Sequence, residues 1–195
     1  MKHSIDLVYK TPPEWAQFVL TDLDGFLQNH ADAERKASAM AMHFIAKAPD
    51  KLKFIPHLIE VAQEELEHFA EVYKIMEKRG ILLPHKIPGS KYIQTLMTLC
   101  RHGKEERLLD RMILASIIEV RAAEKLRLIS EALEDPELKK FYKMLWTSEA
   151  KHGDLYVKLA LYYWDKELVY ERLDELNKAE GEIISSLDWV IGIHP

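Results

Sequence analysis

The chain has 195 residues and a net charge of −5, with 7 Gly, 8 Pro and a single Cys. That length suits one domain with a substantial core, and scarce Gly and Pro beside plentiful Ala, Leu, Glu and Lys point to a mostly helical protein. Lone Cys100 excludes an intramolecular disulfide, a Cys-x-x-Cys rubredoxin-type centre or an iron–sulfur cluster within the chain, and no apolar run approaches about 18 residues, so a cytoplasmic protein with no membrane partner is expected.

Residues 1–11 read as an arm. Pro12 and Pro13 before Glu14-Trp15 make a helix start, and a long first helix is expected over about 13–47. Its apolar stripe runs Leu23, Phe26, His30, Glu34, Ala37, Ala41, Phe44, so Glu34 falls on the core-facing side. His30 faces the same way one turn earlier. It reads as a core histidine bonded to a carboxylate rather than as a metal ligand.

Ala48-Pro49-Asp50 ends that helix. The second helix, about 51–79, carries the stripe Leu58, Ala62, Glu65, Phe69, Val72, Met76, with His68 beside Phe69. Glu60, Glu64, Glu67, Glu71 and Lys74 form a separate, solvated stripe. Gly80 is a natural C-cap after Lys78-Arg79. Residues 81–90 are a connection and 91–101 a short helix, broken at His102-Gly103. The stretch 80–104 would serve as the long crossover of a bundle.

The third helix, about 105–134, has two apolar rows. One contains Glu119, between Ala115 and Ala122, and the other contains Glu124. Asp135-Pro136-Glu137 opens the fourth helix, about 136–164. Its stripe is Phe141, Leu145, Glu149, His152, Tyr156, Leu159, with Lys143, Thr147, Lys151, Asp154 and Lys158 opposite. A fifth helix is expected over 166–180, then a tail that packs Trp189.

Glu65-x-x-His68 and Glu149-x-x-His152 are the chemistry-bearing motifs. Residues three apart share a helix face, so each pair offers a carboxylate and an imidazole to one point. A lone pair of this kind is weak evidence. Two pairs inside apolar stripes are stronger, because a buried carboxylate is costly unless it is paired or binds metal. A buried ion-pair network is the alternative. A glutamate from each of two further helices completes the ligand pattern of a carboxylate-bridged di-metal bundle. Glu34 precedes Glu65 by 31 residues and Glu119 precedes Glu149 by 30, whereas Glu124 would give 25. This echo favours Glu119 and leaves Glu124, Arg121 and Arg127 as pairing groups. The expected ligands are Glu34, Glu65, His68, Glu119, Glu149 and His152. Oxygen and nitrogen donors without thiolate suit iron or manganese rather than structural zinc. The expected fold is all-α: a single ferritin-like four-helix bundle over 1–195, with a long crossover holding a short helix and a C-terminal helical extension.

The text around these positions is more specific. Asn29-His30-Ala31-Asp32-Ala33-Glu34-Arg35-Lys36-Ala37, Glu64-Glu65-Leu66-Glu67-His68-Phe69, Ile118-Glu119-Val120-Arg121-Ala122-Ala123-Glu124 and Ser148-Glu149-Ala150-Lys151-His152 resemble the tRNA 2-methylthio-isopentenyladenosine hydroxylase family. Pro84-His85-Lys86 in the crossover adds to the likeness, which extends from Trp15 to Leu187-Asp188-Trp189. The resemblance implies a di-iron centre of two Fe ions, O2 as co-substrate, and hydroxylation of the isopentenyl group on the modified adenosine beside the anticodon.

Such a reaction needs two electrons. The chain has no Gly-x-Gly-x-x-Gly fingerprint and too few cysteines for a cluster, so the electrons are expected from an external electron-transfer reductase as partner, or from peroxide supplied ready-made. The tRNA anticodon stem-loop is the other partner. From Gly80 to Lys104 there is no Asp or Glu in 25 residues. Lys86, Lys91, Arg101 and Lys104 are therefore candidates for phosphate contact, with Tyr92 for stacking on a base. An ordinary solvated crossover is the plainer account. A ferritin- or rubrerythrin-like iron-oxidation or peroxide-defence protein is the competing function, and the missing Cys-x-x-Cys counts against rubrerythrin.

Overall fold

The computed structural model describes residues 5–195, so Met1–Ser4 of the expected arm lie outside the described residues. Seven α-helices are seen among them and no strand: α1 (Glu14–Val19), α2 (Leu23–Lys47), α3 (Ile55–Lys78), α4 (Lys91–Thr98), α5 (Lys104–Ala132), α6 (Pro136–Ala160) and α7 (Lys166–Ser186). None is long and apolar enough to cross a membrane. The chain divides into two compact units.

The smaller unit spans Val19–Pro88 with Ile191–Ile193 and is built on α2 and α3. The single helix expected over 13–47 is broken here. A 3-10 turn covers Leu20–Asp22, and Asp22 leaves helical geometry to cap α2, its carboxylate accepting from the Gly25 N–H at 2.9 Å. A local side-chain acceptor has won over the continuing apolar period. The helix expected to begin near 51 starts only at Ile55, after a turn closed by Phe54 N–H to Lys51 O at 2.8 Å. α3 ends as Gly80 predicts. Gly80 takes φ 71°, its N–H bonds Glu77 O at 3.0 Å, and the Ile81 N–H reaches Met76 O at 2.9 Å. That is a Schellman cap, and it needs a residue tolerant of positive φ. The hairpin is antiparallel: Arg79, at the end of α3, bonds the Asp24 carboxylate at the start of α2 at 3.1 Å. Phe26, Leu27, Ala41, Phe44, Leu58, Val72 and Met76 are buried, each worth roughly 1.5–3 kcal/mol for the larger side chains.

The larger unit holds the described residues up to Phe18, Gly89–Val190 and His194–Pro195. α5 and α6 form its hairpin. Asp135 caps α6, accepting from Glu137 N–H at 2.8 Å and Leu138 N–H at 3.0 Å, with Pro136 in the first turn. α6 stops at Ala160, earlier than the expected 164, in a turn closed by Tyr163 N–H to Ala160 O at 2.9 Å. α7 runs on to Ser186, beyond the expected 180. The core joins Leu96, Leu109, Ile113, Ile117, Val157, Val169, Leu176 and Ile184. Leu7 belongs to it too, so this end of the arm is packed down, and Asn177 Nδ2 holds Asp6 O at 2.8 Å.

Gly153 lets α6 approach α5. A Cβ there would stand 2.4 Å from Val120 Cγ2, a stiff β-branched neighbour. Gly153→Val is expected to destabilise the protein by about 2 kcal/mol or more through overpacking. Adding Val120→Ala should recover part of it in urea unfolding, whereas equal loss in single and double variants would place the strain elsewhere.

Candidate metal centre

Each unit places two carboxylates and one imidazole together. In the smaller unit α2 supplies Glu34 while α3 supplies Glu65 and His68, with donor atoms within 4.8 Å of one another. His68 Nδ1 stands 3.8 Å from Glu34 Oε2 and 3.7 Å from Glu65 Oε2. Glu34 is also held by its own helix, His30 Nε2 lying 2.6 Å from Glu34 Oε1 with the ring fully buried. The i, i+4 spacing makes that contact, and it fixes the direction in which Glu34 points.

The larger unit repeats the design. α5 supplies Glu119, α6 supplies Glu149 and His152, and the donor atoms again lie within 4.8 Å of one another. His152 Nδ1 is 3.4 Å from Glu149 Oε2. All six residues are buried, none more than 8% exposed. Tyr156, one turn beyond His152, is buried on the same face. Four carboxylates and two imidazoles without thiolate form a donor set that fits iron or manganese.

Glu124 is placed differently. Its carboxylate accepts from the Thr11 hydroxyl at 2.8 Å and from Arg121. Arg121 is fully buried and makes a two-pronged pair with buried Glu180, Nε to Oε1 and Nη2 to Oε2, both at 2.8 Å. Burial works against the guanidinium charge, and the Glu180 carboxylate overrides it, so the Arg121 pKa is raised. Lys125, one turn on, lies 4.7 Å over the Trp15 ring, and burial first, then Arg121, pushes its ammonium down to about 7. Glu180 escaped the sequence reading, although a glutamate in the α7 row of buried Asn177, Gly181 and Ile184 was a usable signal.

The crossover residues fare unequally. Lys86, Lys91 and Lys104 are exposed. Arg101 is half-buried and committed to Asp110, at 2.8 Å and 3.0 Å, so the expectation of a free phosphate contact there is corrected. Burial raises the Asp110 carboxyl, but hydrogen bonds from Arg172 and Arg101 outweigh it and hold it below its usual range. Tyr92 was expected to stack on a base. It is instead fully buried and donates to Glu180 Oε1 at 2.8 Å, because α4 turns this ring into the core.

The helices and the buried glutamate–histidine pairs define a protein of the ferritin-like, di-iron carboxylate class. A solved structure of that shape, Protein 43 with aldehyde deformylating oxygenase activity from Synechococcus, matches with a TM-score of 0.90 and 31% identity, covering 96% of this chain and 94% of that one. Within the class, the family profile MiaE, tRNA-(MS[2]IO[6]A)-hydroxylase, matches residues 2–195, and the chain belongs to this family of tRNA hydroxylases. It is 33% identical over 184 residues to the tRNA 2-(methylsulfanyl)-N(6)-isopentenyladenosine(37) hydroxylase of Pseudomonas putida, covering 94% of this chain and 89% of that protein. The Salmonella typhimurium protein of the same name is 30% identical over 143 residues, 73% of this chain and 52% of that protein.

Proposed function

We propose that this chain hydroxylates the isopentenyl group of 2-methylthio-isopentenyladenosine beside the anticodon of tRNA, as a cytoplasmic O2-dependent monooxygenase. The observation that carries the reading is the paired design: a buried Glu, Glu, His set on each helix hairpin of a chain in a tRNA hydroxylase family. Glu34, Glu65, His68, Glu119, Glu149 and His152 would hold two iron ions, which when bound supply the activation of O2. The four carboxylates offset the charge of the ions. The buried surroundings exclude water and make the site suited to an apolar five-carbon group. His30, bonded to Glu34, orients that ligand.

One oxygen atom enters the C–H bond and the other leaves as water, so two electrons and two protons are consumed per turnover. With Cys100 the only cysteine, those electrons come from a separate reductase. The fold does not choose the reaction, since a close structural match bears a different oxygenase activity in its name. Nucleoside mass analysis chooses it. In tRNA from a strain lacking this protein the hydroxylated nucleoside should give way to its unhydroxylated parent, and re-expression should restore it. An unaltered nucleoside profile would favour an iron-oxidation or peroxide-defence role instead.

A further inference from the structure

The family reading leaves open which surface of this chain meets the RNA. Between Leu138 and Gly153, α6 carries Lys139, Lys140, Lys143 and Lys151, and its one acid there is the buried Glu149. Lys140, Lys143 and Lys151 share one open face of α6 with Thr147 and Ser148, and Met144, 53% exposed, lies on the same face. Lys158, further along, is bound to Asp154, whereas none of these three lysines enters an ion pair among the described residues. The crossover offers less. Arg101 is neutralised by Asp110, and Lys104 is followed by exposed Glu105 and Glu106.

We propose that the Lys140, Lys143 and Lys151 face of α6 docks the phosphate backbone of the tRNA, an inference that rests on the tRNA hydroxylase reading above. At 1.5 Å per residue, Lys140 to Lys151 spans about 16 Å, the reach of a few consecutive phosphates of one strand. At about 100° per residue, Glu149 projects from the side of α6 opposite Lys140. The lysines therefore point away from the metal ligands, meet phosphates elsewhere on the bound RNA, and take no part in the chemistry. On a chain of net charge −5, this face, free of acids between exposed Glu137 and the Lys158-bound Asp154, supplies the complementarity that a polyanion requires.

The test is the Lys140→Gln/Lys143→Gln/Lys151→Gln variant of the full chain, with helicity and iron content checked against wild type. Binding of tRNA bearing the unhydroxylated nucleoside is titrated between about 50 and 200 mM salt. Affinity at the low end should fall roughly 10- to 100-fold, and the slope of log K against log salt should lessen by about 2 to 3. KM should rise by a similar factor, with kcat within about twofold of wild type. A parallel Lys86→Gln/Lys91→Gln/Lys104→Gln variant should lose less. Unchanged affinity and slope in the α6 variant overturn the proposal. So does a loss confined to the crossover variant, or an α6 variant impaired only toward an acidic electron-carrier protein. A wild-type chain with no affinity for tRNA would instead bring down the functional reading and this surface with it.

Discussion

Glu119→Ala protein, loaded anaerobically with ferrous iron, is expected to retain its helices and lose its metal, with affinity falling more than about 100-fold and activity falling with it. The floor comes from residues that merely support metal ligands, whose loss already costs 10- to 100-fold. The expectation rests on position. Glu119 is buried on α5, and its carboxylate shares with Glu149 and His152 a space in which all donor atoms lie within 4.8 Å. Glu124, five residues on, is bound by the Thr11 hydroxyl and by Arg121. Glu124→Ala should keep its iron and lose about 1–3 kcal/mol of stability, because a buried guanidinium forfeits one acceptor. Metal analysis and urea unfolding on both variants separate the roles. Iron lost from Glu124→Ala and kept by Glu119→Ala would reverse them.

Much of this arrangement is written in the helical period. Glu34, Glu65, Glu119 and Glu149 each interrupt an apolar stripe, and the structure buries all four. Helix ends with a local chemical cause were equally legible: Gly80 with its positive φ, and Asp135 with Pro136. What escaped depends on partners distant in sequence or on competition between two local signals. Tyr92 sits in an eight-residue helix, too short for periodicity to say which side faces inward, and its acceptor Glu180 is 88 residues away. Arg101 reads as a free cation because its partner, Asp110, lies beyond a helix break, and Arg172, which shares that carboxylate, is 62 residues past it. At Leu20–Asp22 the apolar period continues while Asp22 caps the helix anew, and a periodicity argument registers only the former. α6 ends at Leu161-Tyr162-Tyr163 with no Gly or Pro to mark the stop.

The Arg121–Glu180 pair should carry the largest stability effect away from the metal ligands. Both side chains are fully buried, joined by two hydrogen bonds of 2.8 Å, and Tyr92 adds a third to the same carboxylate. The pair ties α5 to α7, and through Tyr92 it also ties α4 to α7. Arg121→Met leaves the Glu180 charge buried without its guanidinium, and such a break costs about 3–5 kcal/mol. Replacing both partners is a different case. In Arg121→Met/Glu180→Met no fully buried charge is left stranded, since Glu124 is only part-buried and keeps the Thr11 hydroxyl, and apolar side chains of similar volume fill the space, so most of the lost stability should return even though the Tyr92 hydrogen bond to Glu180 is now gone as well. Tyr92 then keeps a buried hydroxyl short of an acceptor, which holds the double variant below wild type by about 1–3 kcal/mol. Adding Tyr92→Phe should recover that remainder. Urea unfolding of the metal-free proteins reads all three steps without reference to iron. A double variant as unstable as Arg121→Met would mean that the pair contributes by its shape in the core, and that the stranded carboxylate is not the source of the loss.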